Sequence, residues 1–123
     1  MVDKDSARYE GTREYYRVYS LLIQAAHFRG TVQYMQVAKI LHITQPGNYM
    51  GREVGQVLGE ISRNEVTRGR PMLSSVVIGT NGIPGEGFRN FAVELGRWNG
   101  QGDWKTFWHS ELEEVYRVWT LDY

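Results

Sequence analysis

The chain has 123 residues, no cysteine, and equal numbers of cations and anions, 14 Lys+Arg against 14 Asp+Glu. The missing cysteine excludes a disulfide framework, a zinc–thiolate centre and a thiol nucleophile. The balance of 41% apolar and 23% charged residues excludes a disordered chain. No apolar run approaches the ~20 residues that span a bilayer, and the opening MVDKDSARYEGTREYY lacks the apolar core of a secretion signal. The expectation is therefore a cytoplasmic protein without membrane association. At roughly 100–200 residues per domain, 1–123 reads as one domain, with residues 1–10 as a flexible lead-in.

The first periodic segment is TREYYRVYSLLIQAAHFRG. Tyr15, Tyr19, Leu22 and Ala26 recur at helical spacing, Thr12 suits the start and Gly30 the end. Thr31 and Val32 favour a short strand, and Met35, Val37, Ala38 and Leu41 read as one face of a short helix. Gln45-Pro46-Gly47-Asn48 is turn chemistry. A long helix follows, with Met50, Val54, Val57, Leu58 and Ile61 as its apolar stripe. Its glycines, Gly51, Gly55 and Gly59, fall every fourth residue. Each costs up to ~1 kcal/mol in a helix, so something must approach the backbone closely there, a second helix or a ligand. Beyond Arg68-Gly69-Arg70-Pro71, MLSSVVIG reads as a strand of six to eight residues, and Asn81-Gly82 as a hairpin signal. GFRNFAVELG is a short helix closed by Gly96. Asp103 is the expected N-cap of a last helix striped by Trp104, Phe107, Trp108, Leu112, Val115 and Trp119. The whole reads as a helix-rich α+β domain, a winged helix–turn–helix with extra N- and C-terminal helices.

Zero net charge hides an asymmetry. Residues 29–97 carry eight cations against five anions, and residues 98–123 carry two against five. Eleven of the fourteen cations are arginine, the residue suited to planar bidentate partners such as phosphate, base edges or carboxylate. The basic middle is either a nucleic-acid face or the partner of the acidic tail within the fold.

Residues 31–88 carry an ordered set of motifs: Val32-x-Tyr34-x-x-Val37-Ala38, then Gly51-Arg52-Glu53-Val54-Gly55-Gln56-Val57-Leu58, then Pro71 to Gly79 ending in Val76-Val77, then glycines at 82, 85 and 87. In this order they resemble the DNA-binding half of the O6-alkylguanine-DNA alkyltransferases and alkyltransferase-like proteins. The resemblance covers about half the chain. It implies that Tyr34 crowds the phosphate beside a flipped nucleotide and that Arg52 fills the vacated stack, in a minor-groove complex where small residues such as Gly51 and Gly55 permit close approach. The family's reactive cysteine falls at about Leu73 or Ser74, and its neighbouring histidine and arginine are replaced by serine. Alkyl transfer is thereby excluded, and the expectation is nucleic-acid binding without catalysis. Arg63, Arg68 and Arg70 would supply phosphate contacts, with Asn48 and Tyr49 at the helix start as further contacts.

Two other readings stand beside this one. A protein-interaction module would use the aromatic C-terminus, with Trp108, Trp119 and Tyr123 docking a partner or a second copy. A hydrolase would pair Ser74 or Ser75 with His27, His42 or His109, although no Gly-x-Ser-x-Gly elbow is present. The histidines are far apart and form no His-x-x-x-His, so no metal site is expected. His109 with Glu111 and Glu113 reads as a solvent-facing polar strip. The glycine-rich 79–87 segment lacks the Lys-Ser/Thr of a P-loop, and no cofactor is expected.

Overall fold

The computed structural model describes residues 7–120. Thr12 opens α1 (Arg13–His27) with its hydroxyl accepting from the Tyr15 amide. Tyr15, Leu22 and Ala26 of the expected stripe are buried together with Val18, whereas Tyr19 is only partly buried. The helix ends one residue earlier than Gly30 suggests. Arg29 takes the left-handed conformation (φ 56°), and the Gly30 amide donates to the Ala25 carbonyl. This closes a Schellman motif with an arginine where glycine is usual.

β1 (Val32–Gln33) leads directly into α2 (Tyr34–Ile40). Gln33 and Gln36 form a capping box at its start. Val37, Ala38 and Leu41 are buried, whereas Met35 lies exposed, off the face expected for it. His42 ends this helix in the left-handed region (φ 64°). Gly47 then turns the chain at φ 141°, a conformation side chains rarely adopt, and starts α3 (Asn48–Thr67). Met50, Val54, Val57 and Ile61 are fully buried along α3.

The expected strand over MLSSVVIG does not form as such. Leu73–Val76 is a 3-10 turn, and only Val77–Ile78 is strand, β2. The serines explain this: Ser75 Oγ donates to the Met72 carbonyl, and the Ser74 amide donates to Ser62 Oγ. Side-chain partners replace the ladder that β-formers alone would have favoured. β2 pairs with β1 in parallel, Val32 with Val77 and Gln33 with Ile78. The hairpin expected at Asn81-Gly82 is instead a loop, closed by the Gly79 amide donating to the Ile83 carbonyl and the Gly82 amide donating to the Gly79 carbonyl. No strand follows Ile78 among the described residues. The loop feeds α4 (Glu86–Glu94), which Gly96 closes. Asp103 caps α5 (Trp104–Trp119) by accepting from the Lys105 amide.

The helix-rich α+β reading is thus correct in element order. The main core joins α1, α2, α3, the 3-10 turn and α5. A smaller cluster of Met72, Phe88, Ala92 and Trp108 fastens α4 to the front of α5. Among the described residues no helix is long and apolar enough to cross a membrane.

Residues 8–10, expected to be flexible, are pinned to α3. The Glu60 carboxylate accepts from the backbone amides of Arg8, Tyr9 and Glu10. Glu53 receives the Arg8 guanidinium at 3.0 and 3.1 Å. The two carboxylates are seven residues apart, hence about two turns and on one side of the helix.

Candidate nucleic-acid interface

α2 and α3 bring together most of the residues that the motif reading singled out. Tyr34 is the first residue of α2 and is half-buried, which pushes its hydroxyl pKa up. Its hydroxyl lies 3.7 Å from where a Cβ on Gly51 would stand. Asn48, Tyr49 and Arg52 are exposed over the first turns of α3. The Arg52 side chain is 67% exposed. Its guanidinium lies over the Tyr49 ring at 5.5 Å, and its Nε approaches Glu53 at 3.5 Å. Asn48 and Arg52 are four residues apart, so they stand on one side of the helix beside Gly51 and Gly55.

That side of α3 borders a cleft of about 470 Å³. Gly51, Gly55 and Leu58 line it on α3, Tyr34 on α2, and Phe88 and Phe91 on α4. The loop 79–87 forms the remaining wall and contributes Thr80 and Asn81. The volume lies within the roughly 300–1,000 Å³ usual for ligand sites, and the lining is mostly apolar with a few polar groups, as in such sites. A Cβ at Gly55 would meet nothing within 4 Å, and one at Gly51 only the Tyr34 hydroxyl at ordinary contact distance. Of the two explanations for the glycine spacing, a packed helix is therefore not what Gly55 faces, whereas Gly51 lies against Tyr34 of α2. Gly55 leaves open space.

The other proposed phosphate contacts do not join this group. Arg70 is an internal brace: its Nε and one terminal nitrogen bind the fully buried Glu65 carboxylate, at 2.6 Å for the shortest contact, and its guanidinium covers the Trp119 ring at 5.4 Å. Glu65 also receives the Tyr19 hydroxyl. Arg63 is partly buried and faces Glu94 of α4 at 3.9 Å. Arg68 is exposed, but it caps the far end of α3. Sixteen residues separate it from Arg52, about 24 Å along the axis. The basic middle in part faces the acidic tail, since Arg97 makes two 2.8 Å bonds to Glu111 and Arg29 reaches Glu113 at 3.3 Å.

The rival constellations disperse. Ser74 and Ser75 are buried, Ser74 accepting from Ser62 Oγ and Ser75 donating to the Met72 carbonyl. His27 Nδ1 contacts the Trp119 carbonyl, His42 approaches Glu14 at 3.6 Å, and the His109 ring packs on Trp108. No serine–histidine pair forms among these bonds. Trp108 is buried, with Nε1 donating to the Ser75 carbonyl, so it is core and not a docking anchor. Trp119 is partly buried under Arg70, and Tyr123 lies outside the described residues. Glu111 is also buried, accepting from the Met72 amide as well as Arg97, so the polar strip expected beside His109 is not solvent-facing there.

The sequence reading missed the buried carboxylates Glu53, Glu60, Glu65 and Glu111. A signal was present on α3, because its three acids fall in or beside the phase of the apolar stripe rather than opposite it. Arg8 and Tyr9 donors hold the Glu53 carboxyl below the usual carboxylate range against the opposing effect of burial. No family model, curated protein or solved structure matches the chain.

Proposed function

We propose that the chain binds nucleic acid without acting on it chemically, with DNA as the first ligand to test. In this reading α2, its turn and α3 work as a helix–turn–helix of the winged-helix kind, and the loop 79–87 takes the position of the wing. Asn48, Tyr49 and Arg52 meet the polynucleotide, and the neighbouring cleft receives one unstacked base against Tyr34 and the phenylalanines of α4. Turning a base out of a duplex costs a few kcal/mol, and a side chain entering the gap offsets part of it. Arg52 suits that task because it is exposed and its planar head already rests on an aromatic ring. The order of motifs over residues 31–88, similar to that of the alkyltransferase-like proteins, supports the same assignment.

The observation that carries the reading is the juxtaposition of an exposed Arg52 with an open glycine floor on one side of α3. The test is fluorescence anisotropy with labelled duplex and single-stranded oligonucleotides at two salt concentrations. Binding is expected at low salt and weaker at high salt. Arg52→Ala should weaken it. Absence of binding at low salt would refute the assignment.

A further inference from the structure

We propose that Arg8 is a positioning residue for Arg52: by occupying the Glu53 carboxylate, it leaves the Arg52 head projecting into solvent. The inference rests on the nucleic-acid reading and deepens it. Glu53 lies directly beside Arg52 in the chain, and its side chain is only 5% exposed. A carboxylate so placed requires a charged partner. Arg8 supplies one with a bond to each oxygen, 3.0 Å to Oε1 and 3.1 Å to Oε2, and the Tyr9 hydroxyl adds a third at 2.5 Å to Oε1. Arg52 is left with a longer approach to Oε2, 3.5 Å. Its guanidinium also rests over the Tyr49 ring.

Arg8 reaches Glu53 because its backbone is held independently. Glu60 accepts from the amides of residues 8, 9 and 10, and Gln56 donates to the same carboxylate at 2.7 Å. The Glu10 carboxylate in turn accepts from Asn64. Truncating the Arg8 side chain removes none of these bonds, so the segment stays docked. Glu53 then lacks its principal cation, and the adjacent one is Arg52. Drawn inward to a bidentate pair, Arg52 leaves Tyr49 and loses its reach towards the cleft mouth. Two acids two turns apart on α3 thus have separate tasks. Glu60 anchors the segment, and Glu53 is the contested partner of two arginines.

The test is a double-mutant cycle on the full chain, read by oligonucleotide affinity. Arg8→Ala should weaken binding about as much as Arg52→Ala does, on the order of tenfold. In a Glu53→Gln background, where no carboxylate can capture Arg52, Arg8→Ala should change affinity by less than about twofold. A loss that persists undiminished in that background would mean that Arg8 contacts the nucleic acid itself, and would overturn the inference. So would an Arg8→Ala variant that binds like the parent chain. A second readout needs no ligand. Exchange of the Arg52 Nε–H with water, followed by NMR, should slow in Arg8→Ala as its 3.5 Å approach to Glu53 tightens into a short bond, and unchanged exchange contradicts the proposal. Lack of oligonucleotide binding by the parent chain would instead defeat the nucleic-acid reading, so the two failures are distinct.

Discussion

Replacing Gly55 by alanine should make the protein more stable and worse at binding. Gly55 lies inside α3 with ordinary helical backbone, and the added methyl would meet no atom within 4 Å. The substitution therefore brings the full propensity difference between the two residues, about 1 kcal/mol, without a packing penalty. For a domain of this size that corresponds to a rise in Tm of about 4 °C. The same methyl enters the floor of the cleft, where a base or sugar would approach the helix most closely. Gly55→Leu keeps good helix propensity and places a larger side chain into the same space, so it should abolish oligonucleotide binding while remaining folded. The assays are thermal unfolding followed by circular dichroism, and fluorescence anisotropy. A lower Tm for Gly55→Ala would mean that this side of α3 is covered. A higher Tm for both variants with unchanged affinity would mean that the cleft is not where nucleic acid binds.

Arg70→Ala should cost about 3–5 kcal/mol in urea unfolding, because it strips the main charged partner from the fully buried Glu65. Where the variant remains folded its oligonucleotide affinity should match the parent's, opposite to Arg52→Ala. Glu53, whose folded pKa lies below its ordinary 4.5, adds stability that is fully present above that value. This contribution should be lost as pH falls through the lower folded value, and Glu53→Gln should flatten the pH dependence of unfolding free energy in that acid range. His42→Gly should raise Tm, since relieving a left-handed non-glycine residue gains roughly 1–2 kcal/mol, more than the exposed 3.6 Å approach to Glu14 contributes.

What could be read in advance follows from how local each signal is. Thr12, the apolar stripe of α1, the Met50-to-Ile61 stripe of α3 and the Asp103 cap are encoded within a few residues of where they act, and they appear as read except that Tyr19 and Leu58 are only partly buried. The front of α3 was legible for the same reason: Asn48, Tyr49 and Arg52 are placed by the helix that contains them. The serine-containing strand failed because Ser62, twelve residues away, supplies a hydroxyl to Ser74 that no local pattern announces. Arg70 failed similarly. Its short distance in sequence to Glu65 suggested nothing until the helix end turned the chain back over a buried carboxylate. The segment 8–10 was illegible because its anchors, Glu53 and Glu60, lie more than forty positions away. Charged residues in the phase of an apolar stripe were the one accessible warning.

Under the proposed function, the front of α3 and the adjoining cleft form one nucleic-acid site. Amide and arginine side-chain NMR shifts during titration with a short oligonucleotide map that site residue by residue. The shifts should concentrate on Tyr34, residues 48–55 and the loop 79–87, with the Arg52 Nε–H among the most displaced. Shifts gathered around Arg68 and the far end of α3, or a spectrum unchanged at low salt, would rule out a nucleic-acid site there.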